Sequence, residues 1–201
     1  MVFIAGFFLA IINMATTMPA SVWTIRSTYS YGLPRGLVVA LGLSSAHFVW
    51  AGIAAGLLFW RADINYLIDP PLRILAAILM VHMALEVKGA RPVTSLPLED
   101  PPPKHLLRDT SLKAFSMPWR FPLWIAIIMA TGIHLRAPGL AAAAAFAAAV
   151  LCGSLAWHVY FALLTRLFGH RVPEPISLKS LNKLRVLAFT VLLGLALLIL
   201  A

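Results

Sequence analysis

The sequence predicts an all-α integral membrane protein: six transmembrane helices arranged as two inverted three-helix repeats. Three observations carry that expectation. The 201-residue chain is 61% hydrophobic and 11% charged, whereas soluble domains carry about 25% charged residues, and its mean hydropathy is +0.90. Six apolar runs approach the roughly 20 residues that a bilayer core requires. They cover residues 2–25, 36–60, 72–87, 121–135, 140–164 and 186–201. Finally, the basic residues alternate between the connections: of the 16 Lys and Arg, only Arg61, Arg73 and Arg136 fall outside the first, third and fifth. Positive charge marks the cytoplasmic side, so those three connections are expected inside and both termini outside.

The first run is the least regular. Its first ten residues hold no Lys or Arg, so the basic region of a cleavable signal is missing and a retained span is expected. Its middle reads "INMATTMPASVWTI". Proline cannot donate a backbone hydrogen bond, so Pro19 leaves the Ala15 carbonyl without its helical partner. In hydrocarbon that carbonyl needs a partner within the protein. Thr16, Thr17 and Ser21 supply hydroxyls at that level, and a half-helix starting at Pro19 would offer amides with positive dipole character to a carboxylate. A plain proline kink, with hydroxyls bonded back to their own helix, is the competing reading.

Runs two and five each set a small-residue patch just ahead of a histidine: "SSAHFVWAG" and "GSLAWHVYFA". Ionisable residues within spans are functional candidates, and histidine titrates near physiological pH. His47 and His158 are therefore candidate proton carriers, weighed against helix-packing histidines bonded to a neighbouring Ser or carbonyl. In run three, His82 and Glu86 are one turn apart and can touch. They are weaker candidates for the same role. Run four opens near Pro118 and Pro122, which lie four residues apart; Pro122 is the residue expected to shape the opposing half of a site. His134 reads as interfacial. Trp23, Trp60, Trp119 and Trp124 lie near proposed span ends, where aromatic anchors gather. The alanine-rich "LAAAAAFAAAVLCGS" of run five suits close helix approach, with Cys152 as a small packing residue.

Between the two sets of three runs lies "GARPVTSLPLEDPPPKHLLRDTSLK". Its prolines favour an extended linker. A short surface helix after Pro103 is the second reading. The expected organisation is a first three-helix repeat over residues 1–88, a cytoplasmic Pro-rich linker over 89–117, and a second repeat over 118–201. Three spans per half force the halves to face opposite ways, as in many secondary transporters.

Particular stretches resemble the LysE/RhtB amino-acid exporters. Tyr31-Gly32, Arg35-Gly36-Leu37 and Leu41-Gly42 match a family turn and second-helix opening, and Thr16-Thr17-Met18-Pro19 falls on its Thr-Pro-Gly-Pro segment. In the second half, Ala114-Phe115 and Pro122 within "AFSMPWRFPLWIA" are similar to a Gly-Phe segment followed by Asn-Pro-Lys. Leu181-Asn182-Lys183 and Gly194 resemble the last helix. Departures are Thr17 and Met18 for Pro and Gly, Phe121 and Leu123 around Pro122, and His47 where an acidic residue is common. The resemblance implies a multi-pass protein of the bacterial inner membrane that exports amino acids or similar zwitterions by proton antiport and alternating access.

The expected partners are a small solute and the lipid bilayer; a homodimer is compatible with the sequence. The net charge of +9 reads as basic loops beside anionic lipid rather than a nucleic-acid surface. No Gly-rich phosphate loop is evident, so no ATP motor is expected. The six His have no metal-ligand spacing, and neither an enzyme activity nor a cofactor is expected. Two alternatives remain: an exporter of a cation or another small solute, and a non-transporting membrane subunit.

Overall fold

A computed structural model describes residues 1–16, 18–60, 65–89, 94–95, 97, 105–117, 119–171 and 174–200. Helix is the only regular secondary structure among them. The elements are α1 (Val2–Thr16), α2 (Met18–Tyr31), α3 (Leu33–Trp60), α4 (Asn65–Gly89), α5 (Leu106–Phe115), α6 (Arg120–Thr131), α7 (Ile133–Arg136), α8 (Leu140–Phe168) and α9 (Glu174–Leu200). Two of them, α3 and α8, are long and apolar enough to cross a membrane by length and composition. Shorter apolar helical stretches occupy Val2–Met14, Arg120–Thr131 and Val186–Leu197.

The all-helical class is as the sequence predicts, but several boundaries differ. The third run becomes α4, which already includes Asn65 and continues through Pro70 and Pro71. The fourth run is divided: Gly132, in the left-handed region at φ 60°, caps α6, and its N–H donates to the Met129 carbonyl. Only glycine adopts that conformation freely. Pro122 is the third residue of α6. It sits in a first turn, where proline gives up no helical hydrogen bond, so the interruption of this run comes from Gly132 rather than from Pro122. Pro118 lies outside the described residues. After Pro103 a true helix forms: α5 buries Leu106, Thr110 and Ala114 on one face and packs on α3. Gly42 makes this approach possible, because a Cβ there would sit 2.9 Å from the Thr110 side chain. Ser45 and Ser111 hydroxyls, 3.3 Å apart, tie the same two helices.

Helix α8 is central. It packs along α3 and α1 and against α2, while α4 packs along α9. Small residues permit the close approach of α8 to α1. A Cβ on Gly6 would lie 3.0 Å from the Ala149 Cβ, and one on Gly153 would run into the Phe7 carbonyl. The alanine-rich stretch therefore works as close packing. Cys152 does not share in it; it is exposed on α8, contrary to the expectation of a packing residue.

The main hydrophobic core is built from α1, α3, α4, α6, α8 and α9 and includes Met14, Phe59, Met80, Trp124, Ile128, Phe146 and Leu192. A smaller cluster of Ala20, Val39, Leu43, Ala46, Leu106 and Ala114 joins α2, α3 and α5. Trp124 is fully buried, so it is a core residue and not an interfacial anchor; Trp60 and Trp119 are exposed, as anchors would be. His134 is also buried, with its ring centroid 6.5 Å from that of Phe59, rather than interfacial. The outer surface carries exposed apolar side chains on several helices, among them Phe8 and Ile12 on α1, Ile53 and Leu57 on α3, and Ile74, Ile78 and Leu85 on α4.

Candidate functional site

Where the two hydrophobic clusters meet, four helices each turn a polar face inward. The spacing creates the faces, because residues three and four apart lie together on a helix. Helix α2 presents Ser21, Thr24 and Thr28; α3 presents Ser44 and His47; α6 presents Arg120 and Trp124; α8 presents Ser154, Trp157 and His158. All of these except Trp157 are buried, and Trp157 is half-buried.

Their bonds run between helices. The Trp157 Nε1–H donates to Ser21 Oγ at 2.9 Å. His158 Nδ1 and Thr24 Oγ1 are 3.2 Å apart. Ser154 Oγ lies 3.1 Å from Ser44 Oγ and 3.3 Å from Met14 Sδ of α1. The His47 ring stands edge-on to Trp124, with centroids 6.1 Å apart. Both Arg120 and His158 come close enough to His47 to act on it electrostatically. Arg120 donates from Nη1 to the Leu43 carbonyl at 3.5 Å and from Nη2 to Met117 Sδ at 3.6 Å.

The cluster keeps unused hydrogen-bonding capacity. Both ring nitrogens of His47, Nε2 of His158, Nε of Arg120 and Nε1 of Trp124 are buried with no hydrogen-bond partner among the described residues. Buried polar groups are normally satisfied, and leaving one unpaired costs about 1–3 kcal/mol. Five such atoms lie on the inward faces of α3, α6 and α8, which makes this cluster the candidate site. No group of three His, Cys, Asp or Glu that could hold a metal ion occurs among the described residues.

The candidates read from the sequence divide into three groups. Ser21, His47 and His158 are brought together. His82 and Glu86 touch each other, with 3.5 Å between Nε2 and Oε1, but both side chains are 66% exposed on α4; they stand outside the cluster. Pro122 is half-buried on the first turn of α6, close in sequence to Arg120 but not one of the bonded polar groups. Thr17 lies outside the described residues, as do the side chains of Thr16 and Pro19, which belong to α1 and α2.

Ser44, Ser154 and Arg120 are among the participants that escape a sequence reading. Ser44 and Ser154 stand one turn before His47 and His158, inside the small-residue patches, so the i, i+3 and i, i+4 spacing to a histidine was the available signal. Arg120 counts as a loop cation by position, yet it is only 1% exposed. Its signal is the aromatic setting "MPWRFPLW", which is unlike a solvated loop. No family model, no curated protein and no solved structure matches this chain.

Proposed function

We propose that the chain is a secondary transporter that exports amino acids or similar small zwitterions, with the buried cluster between α2, α3, α6 and α8 as its solute site. The observation that carries this reading is the meeting of His47 and His158, from opposite halves of the sequence, beside hydroxyls of the first run and with ring nitrogens unpaired. Intramembrane polar groups are expensive and gather on the pathways of transported species. The exposed apolar side chains on the outer faces of α1, α3 and α4 suit lipid contact.

Helix pairing supports the six-span, inverted-repeat part of the reading. Exchanging the first run (α1 and α2) with the fourth (α6), the second (α3) with the fifth (α8), and the third (α4) with the sixth (α9) maps most packed pairs onto packed pairs. The contact of α1 with α8 becomes that of α6 with α3, and α1 with α9 becomes α6 with α4. The pairs α3 with α8 and α4 with α9 map onto themselves. The contacts of α2 with α3 and of α6 with α9 have no counterpart of similar extent. A site at the interface of such repeats is where alternating access places the solute.

In this mechanism His47 and His158 carry the exchanged proton, and the Ser and Thr hydroxyls hold the solute. The basic third connection then lies in the cytoplasm of a bacterium, and both termini lie outside the inner membrane. Everted vesicles acidified inside are expected to accumulate a labelled amino acid. Accumulation that survives collapse of the proton gradient refutes the coupling, and no accumulation of any amino acid refutes the transport reading. A growth test against toxic metals separates the cation-export alternative: resistance conferred by this chain would favour it.

A further inference from the structure

We infer that Arg120 is the anchor for the solute's carboxylate, reached from a basic pocket between α2, α3 and α5, so that the site selects solutes bearing a carboxylate and rejects amines that lack one. This rests on the transport reading above and adds to it the group by which the solute is recognised.

The case starts from an uncompensated charge. Arg120 is 1% exposed, and among the described residues no carboxylate pairs with it; the ion pairs there join His82 to Glu86 and Arg108 to Asp109. The seven acidic residues stand at 63, 69, 86, 99, 100, 109 and 174, so none lies on α2, α3, α6 or α8. A buried cation without a counter-ion is strongly destabilising. Its two contacts are weak ones: 3.5 Å to a carbonyl and 3.6 Å to a thioether, at or past the outer edge of useful hydrogen bonding. Its Nε–H has no partner. A guanidinium presents five N–H donors in a planar fork that matches a carboxylate in a bidentate arrangement. Here the fork is present and largely unused.

A route to it is also present. A half-open cavity of about 290 Å³ is lined by Ala20, Trp23, Arg26, Leu43, Lys113 and Met117, among others. Leu43 and Met117 are also the acceptors of the two Arg120 hydrogen bonds, so two of the cavity's lining residues are direct partners of the guanidinium. The Met117 side chain is flexible and polarizable, and it is the part of that wall most easily moved. At the cavity, the Lys113 Nζ sits 4.7 Å from the centre of the Trp23 ring, and Arg26 donates to the Pro97 carbonyl at 2.7 Å. The Lys113 ammonium at this cavity and the nearby Arg120 guanidinium attract an anion and oppose a cation. On the inner side, Ser44 and His47 lie within a turn of Leu43, so an anion drawn to Arg120 arrives beside the polar cluster.

The test uses the full chain purified in detergent. Its thermal unfolding is followed in an equimolar mixture of the eighteen common amino acids other than Asp and Glu, and in the matching mixture of their α-carboxamides, at equal ionic strength. The acids are expected to raise the unfolding temperature and the amides to leave it unchanged. In Arg120→Gln the acid concentration giving half the effect should rise about tenfold or more, with Arg120→Lys intermediate. Equal stabilisation by acids and amides, no stabilisation by the acids, or an unchanged half-effect concentration in Arg120→Gln overturns the inference. The acid-against-amide contrast uses the unaltered chain, so a variant that fails to fold does not rescue the idea. Flux in proteoliposomes separates the two readings. Transport that is equally good for acids and amides sinks the Arg120 assignment alone. Carboxylate-dependent stabilisation with no flux for any amino acid sinks the transport reading and leaves Arg120 as a carboxylate site.

Discussion

The pair α3 and α8 and the pair α4 and α9 are built from similarly apolar sequence, yet their seams differ in kind. Between α3 and α8, and onto α2, α1 and α6, polar side chains meet in the buried interior: Ser44 with Ser154, Thr24 with His158, Ser21 with Trp157. Between α4 and α9 the described contacts are largely apolar, with the Lys88 Nζ 5.6 Å from the centre of the Phe189 ring. The groove they share is lined by Ile74, Ala77, Ile78, Val81, Leu193, Ala196 and Leu197, and the ionisable pair of α4, His82 and Glu86, points outward. Apolar contact alone is enough to hold two helices together. A polar seam that also leaves donors unpaired is not explained by packing, and this is why the first pair is read as the working part of the molecule and the second as its frame.

The largest effects should come from the wall of the polar seam. Trp124 is fully buried, with its ring edge-on to both His47 and Phe146. Trp124→Ala should lower stability by about 3–5 kcal/mol, measured by denaturant unfolding in detergent. Trp60→Ala, at 69% exposure, should change it by less than about 0.5 kcal/mol. Comparable losses in the two variants would mean that Trp124 is not the buried support of the seam.

Next come the histidines. His158→Leu removes the partner of Thr24 and one of the two proposed proton carriers. Flux in vesicles should fall about tenfold or more, while His82→Leu should leave flux within about twofold of the unaltered chain, in line with the small effect expected of an exposed side chain. Full flux in His158→Leu would remove that residue from the mechanism. Equal losses in both would erase the distinction between the two seams. A smaller effect tests a single bond. Trp157→Phe keeps the ring contact with Phe161, whose centroid is 5.0 Å away, but deletes the hydrogen bond to Ser21. A loss of about 1 kcal/mol is expected, and it should vanish when Ser21→Ala is already present, as a double-mutant cycle reads it.

These contrasts bear on what a sequence reveals here. The helical class and the two longest helices were legible because composition and run length are summed over many residues. His47 and His158 were legible as a pair because each follows a small-residue patch in an equivalent run. Their tertiary partners were not, because nothing in a helical period says which helix a face will meet. Arg120 shows the limit most sharply. Counting charges by connection assigns it to a loop, and only the packing of α6 against α3 takes it out of water. The same limit applies to His134 and Trp124, where nearness to a run's end suggested an interface and tertiary contact buried both. Gly132 hid for another reason: a glycine inside an apolar run is common, and its left-handed φ is a property of the fold.

The smallest expected effect gives the frame its own test. His82 and Glu86 are one turn apart with 3.5 Å between Nε2 and Oε1, and both are two-thirds exposed. An exposed ion pair of this spacing contributes about 0.3–0.5 kcal/mol in water, and salt screens it. A cycle of His82→Ala, Glu86→Ala and the double variant should therefore give a coupling of that size, shrinking as salt is added. A coupling above about 1.5 kcal/mol that ignores salt would place the pair in a medium of low dielectric, where Coulomb attraction is far stronger. The end of α4 would then lie within hydrocarbon or against a partner instead of in contact with water. The pair would have to be counted among the intramembrane ionisable groups, and the contrast between a polar working seam and an apolar frame would no longer hold.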